Sequence, residues 1–202
     1  MYSVSDAFLR AVRSNTRKYF WTGTIVTKGG MTYEFGAKEI VKGSGYISRQ
    51  CCGSTEIELG TVYAAEMGIT LLSDIDRYTL EDALVTLVFH LVLADGSVED
   101  VPMGVFEVSE ANRLAKCLEL KAYDFMLRFD KSFNGFETVG TAYDFIALCC
   151  KRCKVELVNK RAEIDAMPNG GVTLFVYTEN DIETCRDVLF YVCLLYTSDA
   201  AD

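Results

Sequence analysis

The sequence predicts an α+β protein that is mainly β, with a long first segment of strands and a smaller second segment of αββα order. Two apolar runs flank Asp95-Gly96, a pair suited to a two-residue hairpin turn because glycine accepts positive φ. A third apolar run, residues 115–122, returns beside them, so residues 84–124 are expected to form a three-stranded meander. Beyond residue 135 the apolar residues recur at helical spacing, which indicates that the second segment contains helices.

The chain has 202 residues, of which 50% are hydrophobic, enough for the core of one large domain or two small ones. The longest apolar run, Val85 to Ala94, is far shorter than the roughly 20 residues that span a bilayer. The first residues include Asp6, Arg10 and Arg13 and lack the apolar centre of a secretory signal. The sequence therefore predicts no membrane span. It also predicts that the protein stays in the cytoplasm in which it is made.

Acidic residues outnumber basic ones by 29 to 20, which gives a net charge of −9, and they are scattered along the chain. A general phosphate-binding surface would need clustered lysine and arginine, so this balance argues against one. It fits a soluble protein, or a wall along which nucleic acid passes without binding.

The first elements are predicted from caps and turn residues. Residues 3–14 are expected to form a helix, with Ser3 and Asp6 as a capping box. Its apolar stripe would consist of Phe8, Leu9 and Val12. Residues 18–27 and 31–35 are rich in β-branched and aromatic residues and flank Lys28-Gly29-Gly30, which predicts a hairpin.

Further strands are predicted downstream of this hairpin, at residues 39–52, 55–59 and 67–72. Residues 60–66 allow either a helical turn or twisted strand, and residues 74–82 form a polar connection. In the strand before Asp95 both faces are apolar, which predicts a central strand or one that lines a subunit contact. Pro102 places the next strand at an edge, an end or a bulge.

The second segment is predicted to follow a linker at residues 131–135, so that the two domains comprise residues 1–132 and 136–192. Thr141 and Asp144 form a capping box for a helix that runs through Cys153. Strands are expected at residues 155–158 and 172–177, on either side of a turn at residues 167–171. Thr178 and Asp181 would cap a last helix whose apolar face includes Ile182, Cys185, Leu189 and Val192.

Residues 193–202, CLLYTSDAAD, resemble translated read-through of a sequencing adaptor at the end of a gene fragment. We expect this tail to be non-native, and we exclude it from functional reasoning.

The eight cysteines offer the strongest-looking chemistry, at positions 51, 52, 117, 149, 150, 153, 185 and 193. Without a secretory signal they are expected to be reduced, small hydrophobic residues. Cys149-Cys150-x-x-Cys153, with Cys51-Cys52 as the candidate second pair, is the strongest cluster. The trio lies in a predicted amphipathic helix, and the chain has no second well-placed Cys-x-x-Cys to complete a tetrahedral zinc site. A cysteine-dependent enzyme or zinc-binding module centred on Cys149–Cys153 stays the alternative function.

The chain contains one histidine, His90, so any triad mechanism would have to use it. It lies in the middle of a predicted strand, and we interpret it as a structural residue. The glycines between Lys28 and Lys38 lack the spacing and the strand-to-helix context of a phosphate loop. The sequence therefore predicts no catalytic, cofactor-binding or metal-binding residue.

Three segments of the first domain carry a resemblance: STEIELGTVYAAEMGITLL (54–72), the stretch 91–108 with its DG turn and VPMGVFEV, and LELKAYDFM (118–126). Together they resemble the N-terminal region of tail hub proteins of siphophages and prophages. In the second domain, TAYDFIALCCKRCKVEL (141–157) and TCRDVLFYV (184–192) are similar to the two helices of that family, in order and spacing.

The resemblance implies a structural protein of a phage or prophage tail tip or baseplate hub, with a tube-like antiparallel β-barrel as its N-terminal domain. It implies a homotrimeric ring that continues the tail tube and joins the distal tail protein and the tape measure protein to the host-facing tip. DNA would pass through the lumen without specific binding. It also implies that this region is not an enzyme, although family members often carry a C-terminal peptidase or peptidoglycan hydrolase. A scaffold for such a longer protein is the second alternative.

Overall fold

The computed structural model describes residues 2–50, 63–135, 138–177 and 181–197, with side chains as far as 194. The chain divides into two compact units. Unit 1 comprises Met1–Ser48 and Ala65–Asp124, and unit 2 comprises Arg49–Ala64 and Phe125–Asp202. A large antiparallel sheet and few helices make the protein α+β and mainly β, which confirms the predicted class.

Unit 1 is a seven-stranded antiparallel sheet with strand order β2-β1-β5-β6-β7-β4-β3 and one short helix, α1. Its elements are α1 (Asp6–Val12), β1 (Lys18–Val26), β2 (Thr32–Phe35), β3 (Tyr46–Ser48), β4 (Glu66–Leu72), β5 (Leu84–Val92), β6 (Val98–Leu114) and β7 (Cys117–Tyr123). The predicted hairpin of β1 and β2 and the meander of β5, β6 and β7 are both present. Closure of the sheet into a barrel stays a prediction.

Helix α1 begins later than predicted. Its N-cap is Ser5, whose hydroxyl accepts a hydrogen bond from the Phe8 N–H at 3.0 Å, so the predicted capping box of Ser3 and Asp6 is wrong. Phe8 is buried, as expected, whereas Leu9 is exposed and does not belong to the apolar stripe.

Strand β5 is central, between β1 and β6, as its two apolar faces predict. The turn after it is one residue longer than a two-residue hairpin loop. The Leu93 N–H donates to the Ser97 carbonyl at 2.8 Å, and Gly96 adopts a φ of 84°. The Asp95 carboxylate accepts from the Ser97 N–H and hydroxyl, which stabilises the loop.

Pro102 lies at a β-bulge rather than at a sheet edge. Leu87 is opposite Gly104 and Val88 is opposite Pro102, so Met103 is the extra residue of β6. Strand β6 has neighbours on both sides, β5 and β7, and the bulge accommodates the missing proline donor. The sequence allows an edge, an end or a bulge, and the pairing of β6 with β5 and β7 determines that Pro102 lies at a bulge.

The core of unit 1 lies on the inner face of the sheet, where alternate residues of six strands are buried. The largest contribution comes from Phe106 on β6, which is 1% exposed. The other members on the strands are Ile25, Phe35, Met67, Ile69, Leu71, Val85, Leu87, Val108, Leu118, Leu120 and Ala122.

The segment between β2 and β4 contains less strand than predicted. Ile40 bridges Leu71, and within residues 39–50, the described part of the predicted strand at 39–52, only residues 46–48 pair further, as β3 with β4. Residues 51–62, which include the predicted strand at 55–59, lie outside the described residues. The polar connection at 74–82 contains a 3-10 turn, Arg77–Leu80, capped by Asp76.

Unit 2 contains β8 (Val139–Gly140), α2 (Ala142–Cys153), α3 (Arg161–Asp165), β9 (Leu174–Phe175) and α4 (Cys185–Thr197), after a 3-10 helix at Phe125–Asp130. Strand β8 pairs with β9. The predicted αββα order is therefore wrong. Residues 155–158 form no strand, because the Val155 N–H closes the end of α2 by donating to the Cys150 carbonyl at 2.9 Å. Helix α3 was not predicted from the sequence.

One predicted capping box is confirmed and the other is misplaced. The Thr141 N–H donates to the Asp144 carboxylate at 2.9 Å, and the Arg161 guanidinium beside it lowers the pKa of Asp144 to about 2. The last helix is instead capped by Thr184 and Asp187, since the Asp187 N–H donates to the Thr184 hydroxyl at 3.2 Å. Asp181 precedes the helix, and Thr178 lies outside the described residues.

The segment expected to be a linker, residues 131–135, is hydrogen-bonded within unit 2. The Phe133 N–H donates to the Glu183 carbonyl at 2.8 Å, and the Cys185 N–H donates to the Lys131 carbonyl at 2.9 Å. The Phe133 side chain is buried, so this segment is part of the core. No helix in the described ranges combines the length and the apolar run that a bilayer crossing requires.

Candidate functional site

His90 lies in a chain of hydrogen bonds across three strands. Its Nε2 is 2.7 Å from the Thr22 hydroxyl oxygen on β1, and its Nδ1 is 2.6 Å from an Asp100 carboxylate oxygen on β6. Phe20 stacks on the imidazole with the ring centroids 4.5 Å apart. The hydroxyl, imidazole and carboxylate thus follow the bond order of a hydrolytic triad.

Two features distinguish this chain of hydrogen bonds from a catalytic triad. The Asp100 side chain is 59% exposed, whereas a triad carboxylate is buried so that it can orient the imidazole. Thr22 is opposite Val88, and the alternation of the ladder directs the Thr22 N–H to β5, where it cannot stabilise an oxyanion. Both ring nitrogens of His90 have partners, which is what a structural histidine needs, and that role stays our interpretation.

The cysteines of unit 2 converge in its core. Cys149, Cys150 and Cys153 on α2 and Cys185 at the start of α4 are all buried. Burial raises the pKa of Cys149, which the neighbouring Cys185 thiol raises further, and burial raises the pKa of Cys153 to about 12. Protonated, buried thiols are poor nucleophiles. Cys51 and Cys52 lie outside the described residues.

The described ranges contain no group of three or more His, Cys, Asp or Glu side chains arranged to hold a metal ion. Packing in the core of unit 2 stays our interpretation of the cysteine cluster. The glycines after Lys28 belong to the turn between β1 and β2, where Gly30 has a φ of 83°.

We expect the core thiols to resist alkylation in the folded chain. Burial raises the pKa of Cys153, so at a given pH the folded chain holds less of the reactive thiolate than an exposed cysteine does. Iodoacetamide labelling at pH 8, followed by mass spectrometry, should modify the half-exposed Cys117 long before Cys149 or Cys153. Labelling of Cys149 or Cys153 at the rate of Cys117 would contradict this assignment.

The raised pKa of Cys153 also affects the stability of unit 2 at alkaline pH. The unfolded thiol ionises near its ordinary pKa of 9.0 and the folded Cys153 only near 12. Unfolding therefore releases protons between these values, and the stability of unit 2 should be intact below pH 9 and fall as the pH rises toward 12. A Cys153→Ala variant should lose less stability over this range.

Sequence reasoning missed a groove in unit 1, between the first half of β1 and strand β3. It has a volume of about 550 Å³ and is lined on one side by residues 17–21 and on the other by residues that include Tyr46 and Ile47. Ile69 and Leu87 form its apolar floor. Its aromatic rim is exposed: Tyr19 by 52%, Phe20 by 36% and Tyr46 by 48%. We call this the β1–β3 groove.

Main-chain groups of β1 face the groove. Strand β2 pairs with β1 only from Gly23 to Val26, so in the described ranges residues 18–22 have no strand partner on that side. The Thr27 N–H donates to the Met31 carbonyl, and alternation from this pair directs the N–H and C=O groups of odd-numbered β1 residues toward β2. The polar groups of Tyr19 and Trp21 therefore point into the groove.

The opposite wall is also a strand edge. The Leu72 N–H donates to Glu39 and the Val41 N–H donates to Thr70, so even-numbered β4 residues bond toward β3. Tyr46 is opposite Gly68 and Ser48 is opposite Glu66, so these two residues of β3 bond to the main-chain groups of β4. Ile47 lies between them and consequently directs its N–H and C=O away from β4. The only hint in the sequence was the run Arg17-Lys-Tyr-Phe-Trp21 at the start of a strand.

Within the described ranges, unit 1 is thus an antiparallel sheet with an incompletely paired, aromatic edge. One similar solved structure is the virion of a native gene transfer agent particle, with 11% identity over 67% of this chain and 51% of that chain, at a TM-score of 0.43. Another is a lidless PdpA-VgrG complex, with 9% identity over 83% of this chain and 30% of that chain, at a TM-score of 0.42.

This chain accordingly spans about half the length of the first of these chains and less than a third of the second. No protein-family model matches the sequence, and no curated protein matches it.

Proposed function

We propose that this chain is a structural component of a phage or prophage tail tip or baseplate hub, which acts by assembly rather than by turnover. The observation that carries the proposal is the β1–β3 groove, where exposed aromatic rings and main-chain groups of two strand edges are available to another chain. Aromatic residues are enriched in the core of protein interfaces, and open strand edges are usually covered in isolated proteins.

The sequence resemblance supports the proposal independently, because its segments coincide with structural elements. VPMGVFEV forms the bulged part of β6, the KAYD stretch ends β7, and the two helical segments contain α2 and the start of α4. Each of these elements contributes to the core of its unit.

The proposed ring, its partners and its location follow from the sequence resemblance to tail hub proteins. The chain would form a homotrimeric ring that continues the tail tube and contacts the distal tail protein and the tape measure protein. The net charge of −9 suits a conduit that DNA crosses without binding. The mature protein would lie at the virion tail tip after assembly in the bacterial cytoplasm, and a longer natural product could add lytic activity.

Immunogold labelling of purified particles tests the location. An antibody raised against the purified chain should label the distal end of the tails, and particles from a strain that lacks the gene should stay unlabelled. Label along the tube or on the capsid, or chain found only in the soluble fraction, would contradict the proposal.

A further inference from the structure

The β1–β3 groove lies between two strand edges. Ladder alternation directs the main-chain N–H and C=O groups of Tyr19 and Trp21 away from β5 on one side, and those of Ile47 away from β4 on the other. Residues 18–22 of β1, which pair with β5 but with no described strand on the other side, would span about 17 Å in a strand. An extended segment placed there would find hydrogen-bonding partners on both sides and an apolar floor beneath alternate side chains.

The charges around the groove indicate what kind of segment binds in it. Among the residues that the structure describes, the charged ones that line it are Arg17, Lys18 and Lys42, all basic, and none is a carboxylate. This basic rim belongs to a chain that has nine more acidic than basic residues. The remainder of the same chain therefore supplies the complementary charge, which favours contact between the groove of one copy and an acidic segment of the next.

We propose that the β1–β3 groove receives an extended acidic segment of a second copy of this chain, added as a strand between β1 and β3. Because donor and acceptor surfaces differ, the contact is heterologous, and repetition about a rotation axis closes a ring. The inference rests on the proposed function in expecting self-assembly, and it adds the surface and the mode of contact.

Photo-crosslinking tests the surface directly. The purified chain with p-benzoylphenylalanine in place of Tyr19, which lines the groove, should form covalent dimers on irradiation, and mass spectrometry should locate the crosslink in an acidic segment. The matched control carries the same group in place of Tyr78, which is 76% exposed and does not line the groove. Equal dimer yields from the two positions, or in assembled tails a crosslink from position 19 to a different protein, would overturn the proposal.

A charge reversal gives the quantitative test. Lys18→Glu should raise the dissociation constant for self-association by about tenfold, measured by analytical ultracentrifugation, because a charged rim steers and stabilises the contact. Lys116→Glu changes the net charge equally at an exposed site that does not line the groove and should leave the constant unchanged. Circular dichroism establishes that both variants are folded.

The possible failures are distinguishable from those of the proposed function. A wild-type chain that stays monomeric at every concentration, or equal effects of the two reversals, overturns the groove assignment while leaving immunogold labelling at the tail tip intact. Crosslinking from position 19 without tail-tip label supports the groove assignment and overturns the proposed function instead.

Discussion

Replacing Phe106 by alanine is expected to lower the free energy of unfolding of unit 1 by about 3–5 kcal/mol, the range for removal of a buried aromatic ring. Phe106 is 1% exposed and is among the largest fully buried side chains of the chain. It lies on β6, opposite Val85 of the central strand β5, so the cavity would open between strands that pairing holds in place. Such a site relaxes little, which favours the upper half of the range.

Urea denaturation followed by tryptophan fluorescence measures this loss selectively, because the only tryptophan, Trp21, belongs to unit 1. The control is Leu114→Ala on the same strand, where the side chain is 82% exposed and the change should stay within about 0.5 kcal/mol. Similar losses for the two variants would show that Phe106 does not belong to a packed core.

The second large effect is expected from Gly23→Ala, which should destabilise unit 1 by about 3 kcal/mol through overpacking. A Cβ atom at this position would lie 2.4 Å from the Thr86 carbonyl oxygen and 2.4 Å from the Phe35 ring. The ring could rotate, but the carbonyl belongs to β5 and moves only with the strand. Pairing of β1 with β5 would therefore have to shift where β1 also pairs with β2.

Gly45→Ala is the matched control for this substitution, because a Cβ atom there would have no neighbour within 4 Å. Its stability should be unchanged or slightly raised, within about 1 kcal/mol, since alanine restricts the unfolded chain. Thermal unfolding monitored at Trp21 should separate the two variants clearly. A Gly23→Ala chain as stable as Gly45→Ala would mean that β1 and β5 pair more loosely than this register implies.

The sequence by itself determined the features that depend on local chemistry and on the period of apolar residues. The two apolar faces of β5 predicted a central strand, because a strand covered on both sides needs apolar residues at every position. Thr141 and Asp144 predicted the start of α2, because the capping box is satisfied within four residues. The mainly β class and the meander followed from the same two kinds of signal.

Tertiary structure alone decided between patterns that are locally equivalent. Thr178 with Asp181 and Thr184 with Asp187 have the same spacing, and the start of α4 was settled by burial of Cys185 against α2 and by its N–H bond to Lys131. Pro102 fits an edge or a bulge equally well until its partner strand is known. The β1–β3 groove depends on where pairing stops at Gly23, because strand pairing joins residues distant in sequence and leaves no periodic trace in either strand.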